Sequence, residues 1–303
     1  MLSINTNTAS MAAVNAINKS SASLSTSMER LATGNRINSS ADDAAGKQIA
    51  SRLTAQSSGM GVALSNIQDA TAMLQTADSM FDEMTDVLGR MKDLSTQAAN
   101  GTYNSDDLQA MQDEFDELGQ QMSDMLQNTT YGGTNLFNAG TASGASGASV
   151  GLFQSAVTFQ VGAESSDTMT VDISSQLSDL VDDLSDVSAT FSADQSGTPS
   201  ASGGAELTAS GSANTMIGTI QTAMDDVSKI QSKLGASINR LNDTANNLTS
   251  MQDNTEVAIG NIMDTDYATE ASNMTQQQVL MQTGITMLKQ SNSMSSMVSS
   301  LLQ

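Results

Sequence analysis

The chain has 303 residues, with 33 acidic against 11 basic side chains, a net charge of −22, one proline and neither cysteine nor histidine. Such acidity disfavours binding to nucleic acid, whose phosphates would repel the chain, and the lack of cysteine excludes disulfides and thiol chemistry. Aromatic residues make up only 3%, a composition that favours long helices over a compact enzyme. No run approaches the ~18 apolar residues that predict membrane insertion, and the polar start predicts no cleaved signal peptide.

The negative charge is concentrated in the middle of the chain. Residues 93–228 contain 19 acidic residues and no lysine or arginine, whereas the rest combines all 11 basic residues with the remaining 14 of the 33 acidic ones. The nearly neutral ends can pack against copies of themselves without strong repulsion. The acidic middle suits a solvated outer surface, or serves solubility alone.

The first predicted helix carries one apolar stripe among Ser, Asn, Thr and Ala residues. The stripe comprises Met11, Val14, Ile17, Leu24, Met28 and Leu31. A single helix cannot bury such a stripe, and a helix rich in Ser and Asn is marginal in water. We therefore expect this end to be disordered in a free monomer and helical once it packs against other helices.

A turn-like joint, RLATGNRINSSADDAAG, overlaps the end of this stripe. Gly34 permits a turn, and either Ser39 or Ser40 is placed to cap the next helix. Asp42 and Asp43 are then expected in the first turn of that helix, where the dipole favours acids.

Three apolar seams of heptad type predict long helices that pack into a bundle. The first of these helices is expected from about residue 41 to 99, and the second to begin at a cap formed by Asn104 or Ser105. The seams comprise Met60, Ala63, Ile67, Ala70, Leu74, Ala77, Phe81, Met84, Leu88 and Met91; then Leu108, Met111, Phe115, Leu118, Met122 and Met125; and finally Ile220, Val227, Ile230, Leu234, Leu241, Leu248, Met251, Ala258 and Ile262.

Residues 131–213 interrupt the helical pattern. The Gly- and Ser-rich YGGTNLFNAGTASGASGASVG predicts a loop, and the alternation in AVTFQVGAESSDTMTVDI predicts a β-hairpin with strands 157–161 and 169–173. QLSDLVDDLSDV predicts a short acidic helix, and SADQSGTPSASGGAELTASG has linker composition.

The last predicted helix mirrors the first. Its stripe comprises Met274, Met281, Ile285, Leu288, Val298 and Leu302, with Leu280, Met287, Met294 and Leu301 beside it. The fold class is therefore predicted to be mainly α: a long-helix coiled coil or bundle with paired N- and C-terminal helices and a small β-hairpin region in the middle.

Several motifs, in order along nearly the whole chain, resemble those of bacterial flagellins. They are INTN at 4–7, ERLATGNRINSSADDAAG at 29–46, IQDATAMLQTAD at 67–78, YGGTNLF at 131–137, FQVGAESSDT at 159–168, LGASINRL at 234–241, DTDYATEASNMT at 264–275 and SLLQ at 300–303. The resemblance implies three regions. These are residues 1–42 with 263–303 as an inner coiled-coil domain, residues 43–139 with 214–262 as a helical bundle, and residues 140–213 as a short, variable, partly β outer region.

The implied function is structural: copies self-assemble into the helical flagellar filament, for swimming or swarming motility. Implied partners are other flagellin subunits, the filament cap, hook-junction proteins and an export chaperone. The implied location is the extracellular filament, reached by type III export in unfolded form. A hook-filament junction protein of related architecture is the alternative, although the paired-end motifs favour flagellin. A non-polymerising coiled-coil adhesin would instead have stable helical ends in the monomer.

Two groups of site residues follow. The predicted polymerisation interface comprises Met11, Val14, Ile17, Leu24, Arg30, Leu31, Arg36, Met281, Ile285, Leu288 and Leu301, in which the two arginines are expected to pair with acidic groups of a neighbouring subunit. A patch that resembles the one recognised by a Toll-like receptor of a host comprises Arg90, Leu94 and Glu114, with departures at Gly89, Lys92 and Ser95. Arg90 fits an ordinary solvated or subunit-interface role equally well.

No catalytic, cofactor or metal site is predicted. Without His or Cys, acid–base chemistry would fall to carboxylates or lysine, and no such pair lies in a recognisable pocket motif. DTDY at residues 264–267 hints at a calcium loop, but it lacks the following glycine and the distal glutamate of that motif.

Overall fold

The structure, a computed structural model, describes residues 7–138, 151–191, 204–209 and 211–301. The helices within these ranges are α1 Thr8–Thr33, α2 Ala44–Ala98, α3 Ser105–Asn128, α4 Ser174–Val187, α5 Ser212–Met263 and α6 Tyr267–Leu301. Two antiparallel hairpins lie between α3 and α4: β1 Thr130–Tyr131 with β2 Thr134–Asn135, and β3 Val157–Gln160 with β4 Thr168–Val171. The predicted fold class, mainly α with paired terminal helices and a small hairpin region, is confirmed.

The chain forms two compact units. The first combines Met1–Ser58 with Met251–Gln303, and the second is Gly59–Ser250. The first therefore contains α1 and α6, and the second contains α3, α4 and both hairpins. No helix among the described residues is long and apolar enough to cross a membrane.

The core of the second unit follows the predicted seams. All ten α2 residues from Met60 to Met91 in the first seam are buried, as are the α5 seam residues from Ile220 to Leu248. On α3, Phe115 is fully buried. The heptad-type spacing predicted these helices and their buried faces because each seam keeps one side of a helix turned toward its neighbours.

Aromatic side chains fill the centre of this core. The ring centroids of Phe81 and Phe137 lie 5.1 Å apart in an edge-to-face arrangement, and those of Phe137 and Phe153 lie 5.6 Å apart in a stacked one. Leucines of α4, such as Leu180, are also fully buried. Each large side chain buried in this way stabilises the fold by about 1.5–3 kcal/mol relative to its exposed state.

The first hairpin corrects the prediction of a loop at YGGTNLF. Gly132 and Gly133 both have positive φ, 58° and 83°, which is the requirement of the tight two-residue turn that joins β1 to β2. The Gly- and Ser-rich composition predicts a loop here, although two adjacent glycines between short polar strands are also a hairpin signal. The rest of that predicted loop, at 139–150, and residues 192–203 and 210 of the linker predicted at 192–211 lie outside the described residues.

The second hairpin and the acidic helix α4 match their predictions to within about two residues at each end. The predicted cap of α3 is confirmed at Asn104. Its Oδ1 accepts hydrogen bonds from the N–H groups of Asp106 and Asp107 at 2.9 and 2.8 Å, and the Asp107 carboxylate accepts one from the N–H of Asn104. This reciprocal arrangement satisfies donors that the helix itself leaves unpaired.

Candidate self-association interface

The terminal helices α1 and α6 pack side by side and antiparallel. At the start of α1, Asn7 Nδ2 donates to Ser291 Oγ at 3.0 Å. At the other end of the pair, an Arg30 guanidinium nitrogen lies 3.9 Å from a Glu270 carboxylate oxygen. Because one contact lies at each end of the pair, the two contacts together fix the register of α1 against α6.

An inner seam lies between the two helices at positions three and four residues apart, as in a coiled coil. It comprises Ser10, Ala13, Ile17, Ser20, Leu24, Ser27 and Leu31 on α1, and Glu270, Met274, Gln277, Met281, Gly284, Leu288 and Ser291 on α6. About half of these side chains are small or polar. Among the described side chains of α1 and α6, only Ser27 and Glu270 are buried, and the apolar members of the seam stay half-buried.

The closest approach along this seam is at Gly284. A Cβ added there would lie 2.8 Å from Cγ1 of Ile17, which is too short for two carbon atoms. The glycine is therefore required for the spacing of α1 and α6 at this point.

A second set of apolar side chains, the outer stripe, lies outside the inner seam. It comprises Met11, Val14 and Met28 on α1, and Val279, Leu280, Ile285, Met287 and Met294 on α6, all exposed. Met11 is 61% exposed and Met287 is 63% exposed. Several exposed apolar side chains on one pair of helices indicate an interaction surface in a soluble protein.

The charges of the two helices leave the outer stripe almost neutral. Within α1 and α6 the charged residues are Lys19, Glu29, Arg30, Glu270 and Lys289. Basic and acidic groups nearly balance, so the same surface of a second copy meets little electrostatic repulsion.

The residues predicted for polymerisation divide between these two surfaces. Ile17, Leu24, Leu31, Met281 and Leu288 lie in the inner seam, and Met11, Val14 and Ile285 lie in the outer stripe. Leu301 ends α6, and its side chain lies outside the described part of the chain. Gly284 was missed, and Met28, Val279, Leu280, Met287 and Met294 were not included in the interface. The heptad spacing of Leu280, Met287 and Met294 was the signal that could have added those three.

Beyond α1 the chain pairs with the segment between α5 and α6. Gly34 ends α1 with a positive φ of 76°, and its N–H donates to the Arg30 carbonyl at 2.9 Å. The next residues form a short antiparallel bridge in which the N–H of Thr265 donates to the Gly34 carbonyl at 2.9 Å. The turn predicted at Gly34 is present and joins the N- and C-terminal parts of the first unit.

The two arginines of this region contact groups of their own chain. Arg36 Nη2 donates to the Ile262 carbonyl at 2.7 Å. Arg30 lies beside Glu270, which is only 8% exposed. Their pairing with acidic groups of a neighbouring subunit stays a prediction.

The cap predicted for α2 is wrong. Neither serine caps the helix, which begins at Ala44; instead Asp43 Oδ1 accepts a hydrogen bond from the N–H of Gly46 at 2.9 Å. Asp42 also lies before the helix, and its carboxylate accepts the N–H of Ser39 at 2.8 Å. That backbone hydrogen bond is the main cause that lowers the pKa of Asp42. An aspartate directly before a helix is as good a cap as a serine, so composition alone did not decide between them.

Asp266 caps the start of α6. Its carboxylate accepts hydrogen bonds from the hydroxyl of Thr269 at 2.8 Å and from the N–H of Ala268 at 2.9 Å. These bonds, the Thr269 hydroxyl first, lower the pKa of Asp266. The carboxylate therefore holds the first turn of α6 best when it is ionised.

The receptor-like patch lies in the second unit. Arg90 Nε donates to Glu114 Oε1 at 2.8 Å, and Nη2 lies 2.6 Å from the same oxygen, so the pair bridges α2 and α3. Both side chains are about half exposed. Leu94, by contrast, is only 2% exposed and packs in the core. The structure thus brings Arg90 and Glu114 together at the surface and places Leu94 beneath it.

Across the described ranges, no group of three or more His, Cys, Asp and Glu is arranged to hold a metal ion. Of the DTDY residues, Asp264 takes part in the bridge with Asn35 and Asp266 caps α6. Both aspartates therefore have local structural roles in the first unit.

Comparisons with known proteins agree with this geometry. A family model of the bacterial flagellin N-terminal helical region matches residues 4–142, and one of the bacterial flagellin C-terminal helical region matches residues 217–302. Flagellin A of Vibrio anguillarum is 32% identical over 378 residues, and Polar flagellin C of Vibrio parahaemolyticus serotype O3:K6 is 31% identical over 383 residues; each alignment covers 100% of both chains.

A similarity in structure extends to another flagellar component. A Vibrio parahaemolyticus protein described as flagellar hook-associated matches with a TM-score of 0.53 and 16% identity, over 74% of this chain and 100% of that one. At this identity the likeness shows a shared fold and nothing about function.

Proposed function

The chain belongs to the bacterial flagellin family and is a structural subunit of the flagellar filament, and we propose that the outer stripe of α1 and α6 is the surface by which copies assemble. Similarity to flagellins along the full length supports the family assignment and the structural role. The proposal about the surface rests on a different observation, the exposure of apolar side chains on both terminal helices.

The burial pattern supports this proposal. Within the α1–α6 pair the apolar seam residues are only half-buried, while the outer stripe is exposed. The α1–α6 pair alone therefore leaves apolar surface open to solvent in both the inner seam and the outer stripe. Covering that surface with the same helices of neighbouring copies would release it from water at about 25 cal/mol per Å².

We also propose the division of labour that the resemblance implies. Residues 1–42 with 263–303 form the inner assembling region, residues 43–139 with 214–262 form a bundle around it, and residues 140–213 face outward. The charge distribution supports this order, since the lysine- and arginine-free stretch 93–228 suits a solvated exterior.

The hook-filament junction alternative is not favoured. A protein described as flagellar hook-associated shares the fold, so the fold by itself does not separate the two functions. The flagellin relatives, in contrast, align with this chain from end to end.

Further partners are proposed from family membership. They are the filament cap, hook-junction proteins and an export chaperone that holds the C-terminal helix before assembly. We propose that the subunit is exported unfolded through the flagellar type III channel to the extracellular filament and that its role is not enzymatic. For the chaperone, the support in this chain is the exposed apolar side of α6.

Recognition by a Toll-like receptor of a host is a separate proposal, supported by the Arg90–Glu114 pair at the surface. We expect Arg90→Ala to lower receptor signalling in a reporter-cell dose response, with Arg52→Ala, an exposed arginine on the same helix, as the control. An unchanged dose response for Arg90→Ala would remove the proposal.

Arg36→Ala tests whether the joint around Gly34 contributes to assembly. Because Arg36 holds the Ile262 carbonyl, its loss should weaken polymerisation while the helicity of the monomer, measured by circular dichroism, stays the same. A normal filament yield from this variant would count against any role of Arg36 in assembly.

The proposed function is tested by seeded assembly. Acid-dissociated protein is returned to neutral pH with short filament seeds, and negative-stain electron microscopy compares the full chain with residues 43–262. We expect long filaments from the full chain alone. If the full chain stays monomeric under conditions that elongate a control flagellin, the assembly proposal fails.

A further inference from the structure

The methionines of this chain divide sharply between its two units. The chain has 21 methionines and no cysteine, histidine or tryptophan, so the thioether is its main oxidisable group. In the second unit none is exposed: Met60, Met73, Met80, Met84, Met91, Met122, Met169 and Met216 are buried, and Met111, Met125 and Met224 are half-buried. In the first unit, the exposed ones are Met11, Met28, Met251, Met287, Met294 and Met297.

Three of the exposed methionines of the outer stripe lie at a similar level along the α1–α6 pair. Met287 and Met294 are seven residues apart, on one side of α6. Ser10 Oγ donates to Asn292 Oδ1 at 3.1 Å, which places the neighbouring Met11 level with the segment between Met287 and Met294. Three exposed thioethers thus lie within a short length of the α1–α6 pair, on helices proposed to contact other copies.

We propose that Met11, Met287 and Met294 form an oxidation site that controls subunit addition, with peroxides as the oxidant class. This inference rests on the proposed function of the outer stripe. In the free subunit the three sulfur atoms are open to solvent. In an assembled copy a neighbouring subunit covers them, so oxidation acts on subunits before they join.

The reaction is a balanced two-electron oxidation. A thioether lone pair attacks the outer oxygen of a hydroperoxide, the O–O bond breaks, an S–O bond forms, and water or an alcohol leaves with the proton. Sulfur is oxidised to the sulfoxide and the peroxide is reduced. The product is polar and chiral where an apolar, flexible side chain had been, a change that disrupts methionine-rich interfaces and that methionine sulfoxide reductases reverse.

The selectivity of this site follows from burial. A peroxide reaches the exposed thioethers of the first unit without any opening of the fold, whereas the buried methionines of the second unit require it to open. Mild oxidation should therefore leave the bundle folded while it changes the surface that assembles.

The test uses the full chain, treated with dilute hydrogen peroxide and mapped by peptide mass spectrometry. We expect sulfoxide at the exposed methionines of the first unit, including Met11, Met287 and Met294, with unchanged far-ultraviolet circular dichroism and a fall of about tenfold or more in the rate of seeded elongation. Treatment with methionine sulfoxide reductases should restore the rate. A rate that stays low after the sulfoxides have been removed would overturn the inference.

Two triple variants separate the site from the bundle. Met11→Leu/Met287→Leu/Met294→Leu keeps apolar side chains of similar volume and should elongate after peroxide treatment as before it. The control Met111→Leu/Met125→Leu/Met224→Leu, within the bundle, should lose elongation as the parent does. The inference is overturned if the parent elongates normally with sulfoxide present at all three sites, or if the first variant is as sensitive as the parent. Failure of the untreated parent to elongate seeds would instead overturn the proposed function, and with it the proposed oxidation site.

Discussion

The α1–α6 pair and the second unit differ in what they bury. The second unit encloses phenylalanines, leucines and methionines that are almost wholly removed from solvent, such as Phe81 and Leu234. In the terminal pair, the buried side chains among those described are polar, Ser27 and Glu270. Both regions have heptad-type seams, yet only one of them closes a core around its seam.

This difference separates folding from assembly. A helix whose seam is enclosed by other helices of the same chain is stabilised within the single subunit. A pair of helices with half-buried seams and a second exposed stripe must obtain the rest of its stability from other chains. The following variants test that comparison, beginning with the largest expected effect.

Removing a large side chain from the enclosed core should have the largest effect on the free subunit. Phe81→Ala deletes a ring that is fully buried and packed against Phe137, and it should cost about 3–5 kcal/mol of unfolding free energy. Leu24→Ala, in the half-buried seam of α1, should cost about 1 kcal/mol or less in the monomer and yet reduce seeded elongation.

Urea unfolding followed by circular dichroism measures both variants. Val62→Ala is the matched control, since Val62 lies on α2 and is 61% exposed; it should stay within about 0.5 kcal/mol of the parent. If Leu24→Ala destabilises the free subunit as much as Phe81→Ala, the contrast between the two regions does not hold.

Widening the terminal pair should have the next largest effect, and in assembly alone. Gly284→Ala places a methyl group 2.8 Å from Ile17 Cγ1, a degree of overpacking that costs about 1–3 kcal/mol. Seeded elongation should fall. Adding Ile17→Ala, which removes the clashing atoms, should recover part of the loss.

Gly235→Ala is the control for this pair of variants. Gly235 lies on α5 in the second unit, where an added Cβ meets no atom within 4 Å. Since alanine is the better helix former, Gly235→Ala should leave elongation unchanged and stability equal or higher. Without any recovery in the Gly284→Ala/Ile17→Ala double variant, the spacing of the inner seam is not what limits assembly.

Lowering the pH should change the stability of the two regions in opposite directions. Burial, and then the neighbouring Asp226 carboxylate, raise the pKa of Asp183 above its ordinary 3.8, so ionised Asp183 opposes folding of the second unit at neutral pH. This cost disappears as pH falls through the raised pKa. Asp266, at the start of α6, has a pKa lowered by hydrogen bonds from Thr269. Its contribution is present above 3.8 and is lost as pH falls through the lowered value.

Asparagine variants measure each carboxylate. Asp183→Asn should raise the thermal midpoint of the second unit at pH 7, and the difference from the parent should vanish by about pH 3. Asp266→Asn should increase hydrogen exchange at the start of α6 at pH 7, and by less as the pH falls. A gain from Asp183→Asn that grows in acid would show that the sign of this effect is wrong.

The smallest effect is expected at the exposed ion pair. Arg90→Ala breaks the bridge to Glu114, but both side chains are about half exposed, and such pairs contribute about 0–1 kcal/mol. Urea unfolding of the Arg90→Ala and Glu114→Ala variants, and of the double variant, would measure the coupling. A coupling well above this range would indicate that the pair is part of the folding core of the second unit.

The sequence predicted the helices, their order and the buried face of the bundle, because heptad spacing reports which side of a helix is covered. It did not separate the inner seam from the outer stripe. Ile17 and Met11 are equally apolar and equally periodic, and only the partner helix decides which of them is half-buried. The glycine at 284 carried no signal in its own helix, since its role depends on the distance to Ile17.

Caps and short turns were harder to predict for a different reason. For α3 the sequence offers two candidate caps, Asn104 and Ser105, and Asn104 is the one that caps the helix. Ahead of α2, Ser39, Ser40, Asp42 and Asp43 are all suited to capping. The choice of Asp43 depends on where the backbone enters the helix. The hairpin at Gly132 and Gly133 was missed because its strands have only two residues each, too few for an alternating pattern.

Hydrogen exchange along the chain, before and after assembly, tests the central comparison most directly. In the free subunit, amides of α1 and α6 should exchange at least ~100-fold faster than those of α2 between Gly59 and Ala98, because local stability follows burial. In filaments the two sets should be protected to a similar degree. If α1 and α6 are already as protected as α2 in the free subunit, the terminal helices are stable on their own and assembly does not complete their packing.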